Sequence, residues 1–247
     1  MIQKALQYLV GLKENKTYTI NGKTYSDNQL YVIGDEQYHR KNISFGSLDA
    51  IVKMIKAEIA DYTYENDPLI NRIDPLFIHV KDHKNVEVFT RPDSREVRTW
   101  PYSAECCDAD FREGWREQNK AIIEIKSRFL PTADSEYLLS LISRINNDEG
   151  IKSEDNGVSQ NVIVKKGVSL ATSEVVKPRL TLQPFRTFRE VPQPESEFIL
   201  RLNENGEIGL FEADGGIWKM EAKDSIKKYF LDHLQEEIQS GKIVVMV

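Results

Sequence analysis

The 247-residue sequence contains only two cysteines, and these are the adjacent residues Cys106 and Cys107. Adjacent cysteines rarely bridge each other, because the peptide bond between them must distort. A disulfide-stabilised scaffold is therefore excluded, and the pair fits a reducing compartment. No spaced CxxC pair is present to complete a ligand set, so we expect two free thiols rather than a metal or redox site.

The sequence also lacks a hydrophobic run approaching the roughly 20 residues that a membrane-spanning helix requires. Its first residues lack the basic stretch and long apolar block of a signal peptide. Hydrophobic residues make up 40% and charged residues 29% of the chain, as in ordinary globular proteins. We therefore expect a cytoplasmic protein that does not associate with membranes.

Positive charge is in deficit, with 33 Lys and Arg against 39 Asp and Glu and a formal net charge of −6. This balance argues against a dedicated duplex-DNA binder. Residues 177–201 are the exception, because basic residues there outnumber acidic ones and alternate with aromatic residues that could stack on bases. The candidate nucleic-acid-binding residues are Arg179, Phe185, Arg186, Phe188 and Arg189. The interpretation that we favour is a β-segment with a solvated basic face.

Motifs of common enzyme classes are absent: the sequence has no GxxxxGK[ST], GxGxxG or GxSxG pattern and no kinase signature. The glycines of residues 212–216 fit a tight turn. His79 and His83 have helical metal-ligand spacing, but their flanks predict a strand and a turn. We therefore favour a protein that is not an enzyme, with no cofactor and no metal.

An acidic run offers an alternative, a metal-dependent hydrolase. Glu105, Asp108, Asp110 and Glu113 could bind Mg²⁺ if the fold made their carboxylates converge. A simpler interpretation is that Asp108 or Asp110 caps the N-terminus of a helix.

Hydrophobic periodicity predicts an α+β fold with mostly antiparallel sheet and several amphipathic helices. Asn21-Gly22 between strand formers predicts a hairpin over residues 17–26, because both turn positions favour positive φ. Further predicted strands cover residues 30–33, 76–80, 86–89, 96–102, 158–164, 179–184, 197–202, 207–211 and 243–246. Predicted helices cover residues 2–12, 47–62, 134–145 and 224–239, with another inside 108–129.

The chain is predicted to form a single unit, residues 1–247. Residues 146–157 are polar and poor in apolar side chains, so they are the best candidate for a hinge. A break there would separate a part with helices and a meander, residues 1–145, from a β-rich part, residues 158–247. The same residues could equally form a surface loop.

Three C-terminal stretches, residues 182–191, 193–198 and 210–219, resemble the YfdQ-like prophage proteins, a phage-encoded family of unknown function. Weaker similarity extends to residues 127–132 and 21–26. The resemblance implies a phage or prophage gene expressed in a bacterial cytoplasm, and it assigns no catalytic residue. From the residues themselves we expect one structural aromatic cluster, formed by Phe185, Phe188, Phe198, Phe211 and Trp218.

These observations favour a phage-encoded accessory protein that acts by binding a host or phage protein, as a homo-oligomer. A nucleic-acid-associated protein of phage replication or recombination is the first alternative, and a metal-dependent hydrolase is the second.

Overall fold

The computed structural model describes residues 17–26, 32–33, 42–61, 75–92, 100–107, 111–144, 154–155, 160–166, 170–203 and 205–247. Contacts divide the chain into two units, Met1–Arg40 and Lys41–Val247. The predicted α+β class is confirmed, and the sheets are mostly antiparallel.

The helices are α1 (Leu48–Asp61), α2 (Gln118–Arg128), α3 (Ala133–Arg144), α4 (Trp218–His233) and α5 (Gln235–Gln239). The strands are β1 (Thr17–Ile20), β2 (Lys23–Ser26), β3 (Val32–Ile33), β4 (Ile43–Phe45), β5 (Leu76–Val80), β6 (Asn85–Phe89), β7 (Tyr102–Glu105), β8 (Gly114–Arg116), β9 (Glu154–Asp155), β10 (Gln160–Lys166), β11 (Leu170–Val176), β12 (Arg179–Leu182), β13 (Ser196–Leu202), β14 (Ile208–Glu212) and β15 (Ile243–Met246).

The first unit contains the predicted hairpin. Strands β1 and β2 pair antiparallel around Asn21 and Gly22, which have φ values of 52° and 77°. These positive angles are those of the two-residue turn that Asn-Gly favours. Strand β3 adds to β2 and completes a three-stranded sheet.

A mixed sheet of five strands, ordered β15-β5-β6-β7-β4, forms one half of the second unit. The central strands form the predicted antiparallel meander, and both edge strands pair parallel to their neighbours. Helices α1 and α4 cover one face through a buried core that we call the mixed-sheet core. Its α1 positions are Leu48, Ile51, Val52, Ile55 and Ile59, the 3.6-residue stripe that the sequence predicts.

An antiparallel sheet of four strands, ordered β12-β13-β14-β8, forms the other half. Helices α2 and α3 pack on one face and enclose the four-stranded core, in which Leu138, Leu141 and Ile142 of α3 are fully buried. Strands β9, β10 and β11 form a further antiparallel sheet, in which β10 and β11 pair over seven residues each.

Residues 183–195, between β12 and β13, join the two halves, and we call them the linking segment. The segment leaves the four-stranded sheet, places Phe188 and Val191 in the mixed-sheet core, and returns. The Glu190 carboxylate accepts a hydrogen bond of 2.8 Å from the backbone N–H of Leu48 at the start of α1. Thr187 donates its hydroxyl to the carbonyl of His83, at 2.6 Å.

Several predicted elements differ from the observed ones. The predicted helix over residues 224–239 is two helices in the structure. The first starts at Trp218, before the predicted start, and Leu234 separates it from the second. The third meander strand is Tyr102–Glu105, which shares only Tyr102 with the predicted strand 96–102, and residues 96–99 of that prediction lie outside the described residues. Strands β4, β8, β9 and β11 have no counterpart among the predicted strands. The expected helix 2–12 and almost all of the proposed hinge at 146–157 lie outside the described residues.

The expected aromatic cluster is distributed over several places. Phe198 belongs to the four-stranded core and Phe188 to the mixed-sheet core. Phe211 lies on the opposite face of the four-stranded sheet, edge-on to Trp115 with ring centroids 5.7 Å apart. The cause is strand alternation, which sends Phe198 and Phe211 to opposite faces of neighbouring strands.

Within the described part of the chain, no helix has the length and apolar character to cross a membrane.

Gly209 lies directly beneath the rings of Trp115 and Phe211. A Cβ atom there would lie 2.7 Å from Phe211 Cε2 and 2.9 Å from Trp115 Cζ3, closer than side chains tolerate. We expect Gly209→Ala to lower the free energy of unfolding by about 1–3 kcal/mol, as overpacking does. Gly46→Ala is the control, because a Cβ at Gly46 meets no atom within 4 Å. Chemical denaturation measures both variants, and equal stabilities would contradict the packing argument.

Candidate functional site

The outer face of the mixed sheet, opposite the mixed-sheet core, carries large apolar side chains. On β5 and β6, Ile78, Val80, Val86 and Val88 point into the core. The side chain of Phe77 lies on the opposite face, stacked on Phe89 of the neighbouring strand with ring centroids 5.4 Å apart and planes 10° from parallel. The two residues are cross-strand partners, so the register itself brings the rings together.

Around this aromatic pair the chain forms an open pocket of about 450 Å³. It is lined by Phe77, Phe89, Arg91, Pro92, Trp100 and Met246, and we call these residues the outer-face patch. Trp100 retains 47% of its accessible surface, although Trp is usually mostly buried in folded proteins. An exposed apolar surface rimmed by polar groups is typical of an interaction site.

A polar region borders the outer-face patch on the same face and fixes one wall of it. Asn42 donates its amide to the Trp100 carbonyl at 2.8 Å and accepts from the Ser103 hydroxyl at 2.8 Å. Glu87 lies between His79 and Ser103 in the ladder and forms an ion pair of 3.0 Å with Lys81. The Trp100 backbone is therefore anchored, while its side chain remains accessible.

The five candidate nucleic-acid-binding residues do not share one exposed surface. Arg186 and Phe188 are each 1% exposed. Arg179 forms an ion pair of 2.6 Å with Glu197 on the outer face of the four-stranded sheet. Arg189 lies over the ring of the half-buried Phe185, with 5.5 Å between the guanidinium carbon and the ring centroid.

Arg186 instead organises a buried polar cluster between the two halves. Its Nη1 donates to Glu212 Oε1 at 2.9 Å, and its guanidinium lies 4.1 Å from the ring centroid of Trp218. Trp218 in turn donates its indole N–H to Glu212 Oε2 at 3.2 Å. These contacts tie the linking segment, the end of β14 and the start of α4 together.

The side-chain amide of Gln193 fixes the backbone around Arg186. Its oxygen accepts from the N–H groups of Arg186, at 2.8 Å, and Thr187, at 3.1 Å. Its nitrogen donates to the Phe188 carbonyl at 3.0 Å. A buried amide with its donors and acceptors occupied holds one loop conformation, and this is a structural task rather than a catalytic one.

Asp214 closes the cluster at the turn between β14 and α4. Its carboxylate accepts from the Ser196 hydroxyl at 2.7 Å and from the Gly216 N–H at 3.0 Å. Burial raises the pKa of this carboxyl, but the two hydrogen bonds and the Arg186 charge outweigh burial and hold the pKa below its ordinary value of 3.8. Asp214 is therefore held as a carboxylate that shapes the glycine turn.

The acidic run does not form a metal site within the described residues. Asp108 and Asp110 lie outside those residues, and Glu113 accepts a hydrogen bond of 2.8 Å from the backbone N–H of Glu212. No group of three or more His, Cys, Asp or Glu side chains in the described part of the chain is arranged to hold a metal ion. Cys106 is buried and Cys107 exposed, and both are free thiols.

Sequence reasoning did not identify the outer-face patch. A pattern was present in residues 76–80, where a phenylalanine stands at the position that should face solvent if only one face of the sheet were covered. Trp100 and Met246 reach the patch from distant parts of the chain, so their convergence depends on the sheet order.

Comparison with known proteins gives no relative: no family model, no curated protein and no solved structure matches the chain.

The buried ion pair predicts a large difference between two identical substitutions. Glu212→Ala leaves the guanidinium of Arg186 buried without this carboxylate, and we expect it to lower the free energy of unfolding by about 3–5 kcal/mol. Glu197→Ala removes the exposed partner of Arg179, and the expected cost is within about 1 kcal/mol. Urea denaturation of both variants is the measurement, and similar losses would refute the assignment of Arg186 as the organising charge.

The lowered pKa of Asp214 predicts a pH dependence. A carboxyl with a lower pKa in the folded state stabilises the fold at pH values above its unfolded pKa, and this contribution is lost as the pH falls through the folded pKa. We expect Asp214→Asn to destabilise the protein most at pH 6 and progressively less below pH 4. Denaturation curves of wild type and Asp214→Asn at pH 6 and below pH 4 measure this destabilisation. A cost that stays constant with pH would assign the effect to packing.

Proposed function

We propose that this chain is a non-enzymatic binding protein of the phage accessory type, and that it captures another protein on its outer-face patch. The single observation that carries the proposal is the exposed aromatic pocket on a sheet whose other face is covered by α1 and α4. The resemblance of residues 182–191, 193–198 and 210–219 to YfdQ-like prophage proteins supports a host or phage protein as the partner.

The chemistry of the patch defines what it fits. Trp, Phe, Met and Arg side chains are enriched at protein interfaces, and a large aromatic side chain in a central pocket contributes most of the binding energy. Phe77, Phe89 and Trp100 offer such a pocket to an apolar side chain. Arg91 at its rim is exposed and would pair with an acidic residue of the same segment. We therefore expect the partner to present a short apolar segment that carries an acidic residue.

Two tryptophans provide a matched test. Trp100 is 47% exposed in the patch, and Trp115 is 46% exposed on the outer face of the other sheet. Tagged wild-type protein, Trp100→Ala and Trp115→Ala are used as bait in host lysate with and without nuclease treatment. A protein captured by wild type and by Trp115→Ala is then purified, and its affinity for each variant is measured by calorimetry. We expect Trp100→Ala to weaken binding at least tenfold and Trp115→Ala to leave it unchanged.

Equal affinity of both variants for the purified partner would contradict the proposal. Capture that disappears on nuclease treatment would favour the alternative, a nucleic-acid-associated protein.

A further inference from the structure

The outer strands of the two large sheets differ in how their edges are protected. The edge of β12 that does not pair with β13 is covered by side chains of α3. Asp134 accepts a hydrogen bond of 2.8 Å from the Thr181 N–H, and the Tyr137 hydroxyl accepts one of 3.2 Å from the N–H of Lys177, just before β12. These contacts occupy donors that would otherwise pair with a strand of another molecule.

The outer strands β8 and β4 are protected by other means. Each has three residues, which is too short to template a stable ladder. Strand β8 also begins at Gly114, whose φ of 138° departs from strand geometry, and it ends at Arg116, which is paired with Glu124. Short strands, irregular backbone and charge are established ways to prevent edge-to-edge association.

Strand β15 is one residue longer than β4 and β8, and it has neither an irregular backbone nor a charged residue. Its sequence, Ile243 to Met246, contains no charge and no proline, and one edge pairs parallel with β5. Among the residues that the structure describes, no backbone or side-chain hydrogen bond reaches its other edge. Val244 is 39% exposed and the following Val247 is 46% exposed, and Met246 is part of the outer-face patch.

We propose that the free edge of β15 pairs antiparallel with β15 of a second copy of this chain. An apolar strand with one open edge is complementary to itself under two-fold symmetry, which is the commonest symmetry of soluble dimers. Five strands from each copy then form one continuous sheet of ten. The backbone groups of each β15 gain partners along the shared edge.

The charges next to β15 permit this pairing. Lys242 precedes the strand, and antiparallel pairing centred on Val244 places the two copies of Lys242 at opposite ends of the ladder. At about 3.4 Å per residue they lie about 14 Å apart along the strands, well beyond the screening length of about 8 Å at physiological salt. The two Val244 side chains, in contrast, lie close to the two-fold axis.

The dimer would bring two outer-face patches together. This part of the inference rests on the proposed function of the patch. A two-fold axis perpendicular to the sheet keeps both outer faces on the same side. Both outer-face patches therefore lie on one ten-stranded surface and would bind a partner with two apolar segments bivalently, with an avidity above that of one patch.

Charge substitution at Val244 tests the dimer. We measure mass by sedimentation velocity from 1 to 100 µM, and expect wild type to dimerise and Val244→Lys and Val244→Glu each to be monomeric. An equimolar mixture of the two variants should dimerise again, because opposite charges then meet near the axis. That recovery also establishes that both variants fold. Val175→Lys is the matched control, since Val175 is a 67% exposed valine on another strand, and it should remain dimeric.

Hydrogen exchange of the wild-type protein provides a readout that needs no variant. The amides of Ile243 and Val245, which point away from β5, should become at least tenfold more protected as the concentration rises through the dimerisation range. A wild-type protein that is monomeric at 100 µM, or a Val244→Lys variant that dimerises like Val175→Lys, would overturn the inference.

The two proposals can fail separately. If Trp100→Ala abolishes dimerisation while Val244→Lys preserves it, the edge pairing is refuted, and the patch is a contact surface between copies. If Val244→Lys is monomeric and still binds the partner with a Trp100-dependent affinity, both proposals hold. If edge pairing is demonstrated but Trp100→Ala binds the purified partner like Trp115→Ala, the dimer stands and the proposed function falls.

Discussion

A single buried guanidinium constrains the larger unit. Arg186 is 1% exposed, and a charge taken out of water must be matched nearby, because its desolvation costs several kcal/mol. The carboxylate of Glu212 and the face of Trp218 provide that match. Arg186 belongs to the linking segment, Glu212 to one sheet and Trp218 to a helix that covers the other sheet. The position of each half is therefore tied to one charge.

The linking segment transmits this constraint to distant elements. Gln193 holds its backbone, Glu190 caps the helix that begins at Leu48, and Phe188 fills the mixed-sheet core. A segment without regular secondary structure is thus held in one conformation, because hydrogen bonds to buried side chains replace the missing ladder. None of these contacts of the linking segment uses the outer face of either sheet.

The elements that could be predicted from sequence are those with strong local determinants. The Asn21-Gly22 turn and the apolar stripe of the helix after Ser47 depend on neighbouring residues only. The end of the last long helix at His233 is less visible, because the apolar repeat continues through Leu234 and Ile238 while the backbone at Leu234 leaves helical geometry. Strands as short as Gly114–Arg116 form only because a longer strand offers them an edge.

The candidate site was harder to predict for the same reason. Arginines alternating with phenylalanines in residues 185–189 fit a basic binding face and a buried joint equally well, and only the tertiary fold distinguishes Arg186 from Arg189. The outer-face patch draws on β5, β6, β15 and the segment around Trp100. No local sequence pattern indicates that these four parts of the chain meet.

The parallel pairing of β15 with β5 has a consequence for how the protein is made. The contact joins residues 243–246 to residues 76–79, so the mixed sheet lacks an outer strand until nearly all of this chain has left the ribosome. Contacts so distant in sequence form slowly, since the intervening chain must first be ordered. Until residues 243–246 are synthesised, the Phe77 strand therefore exposes an edge of its own, and unpaired strand edges of this kind favour aggregation and chaperone binding.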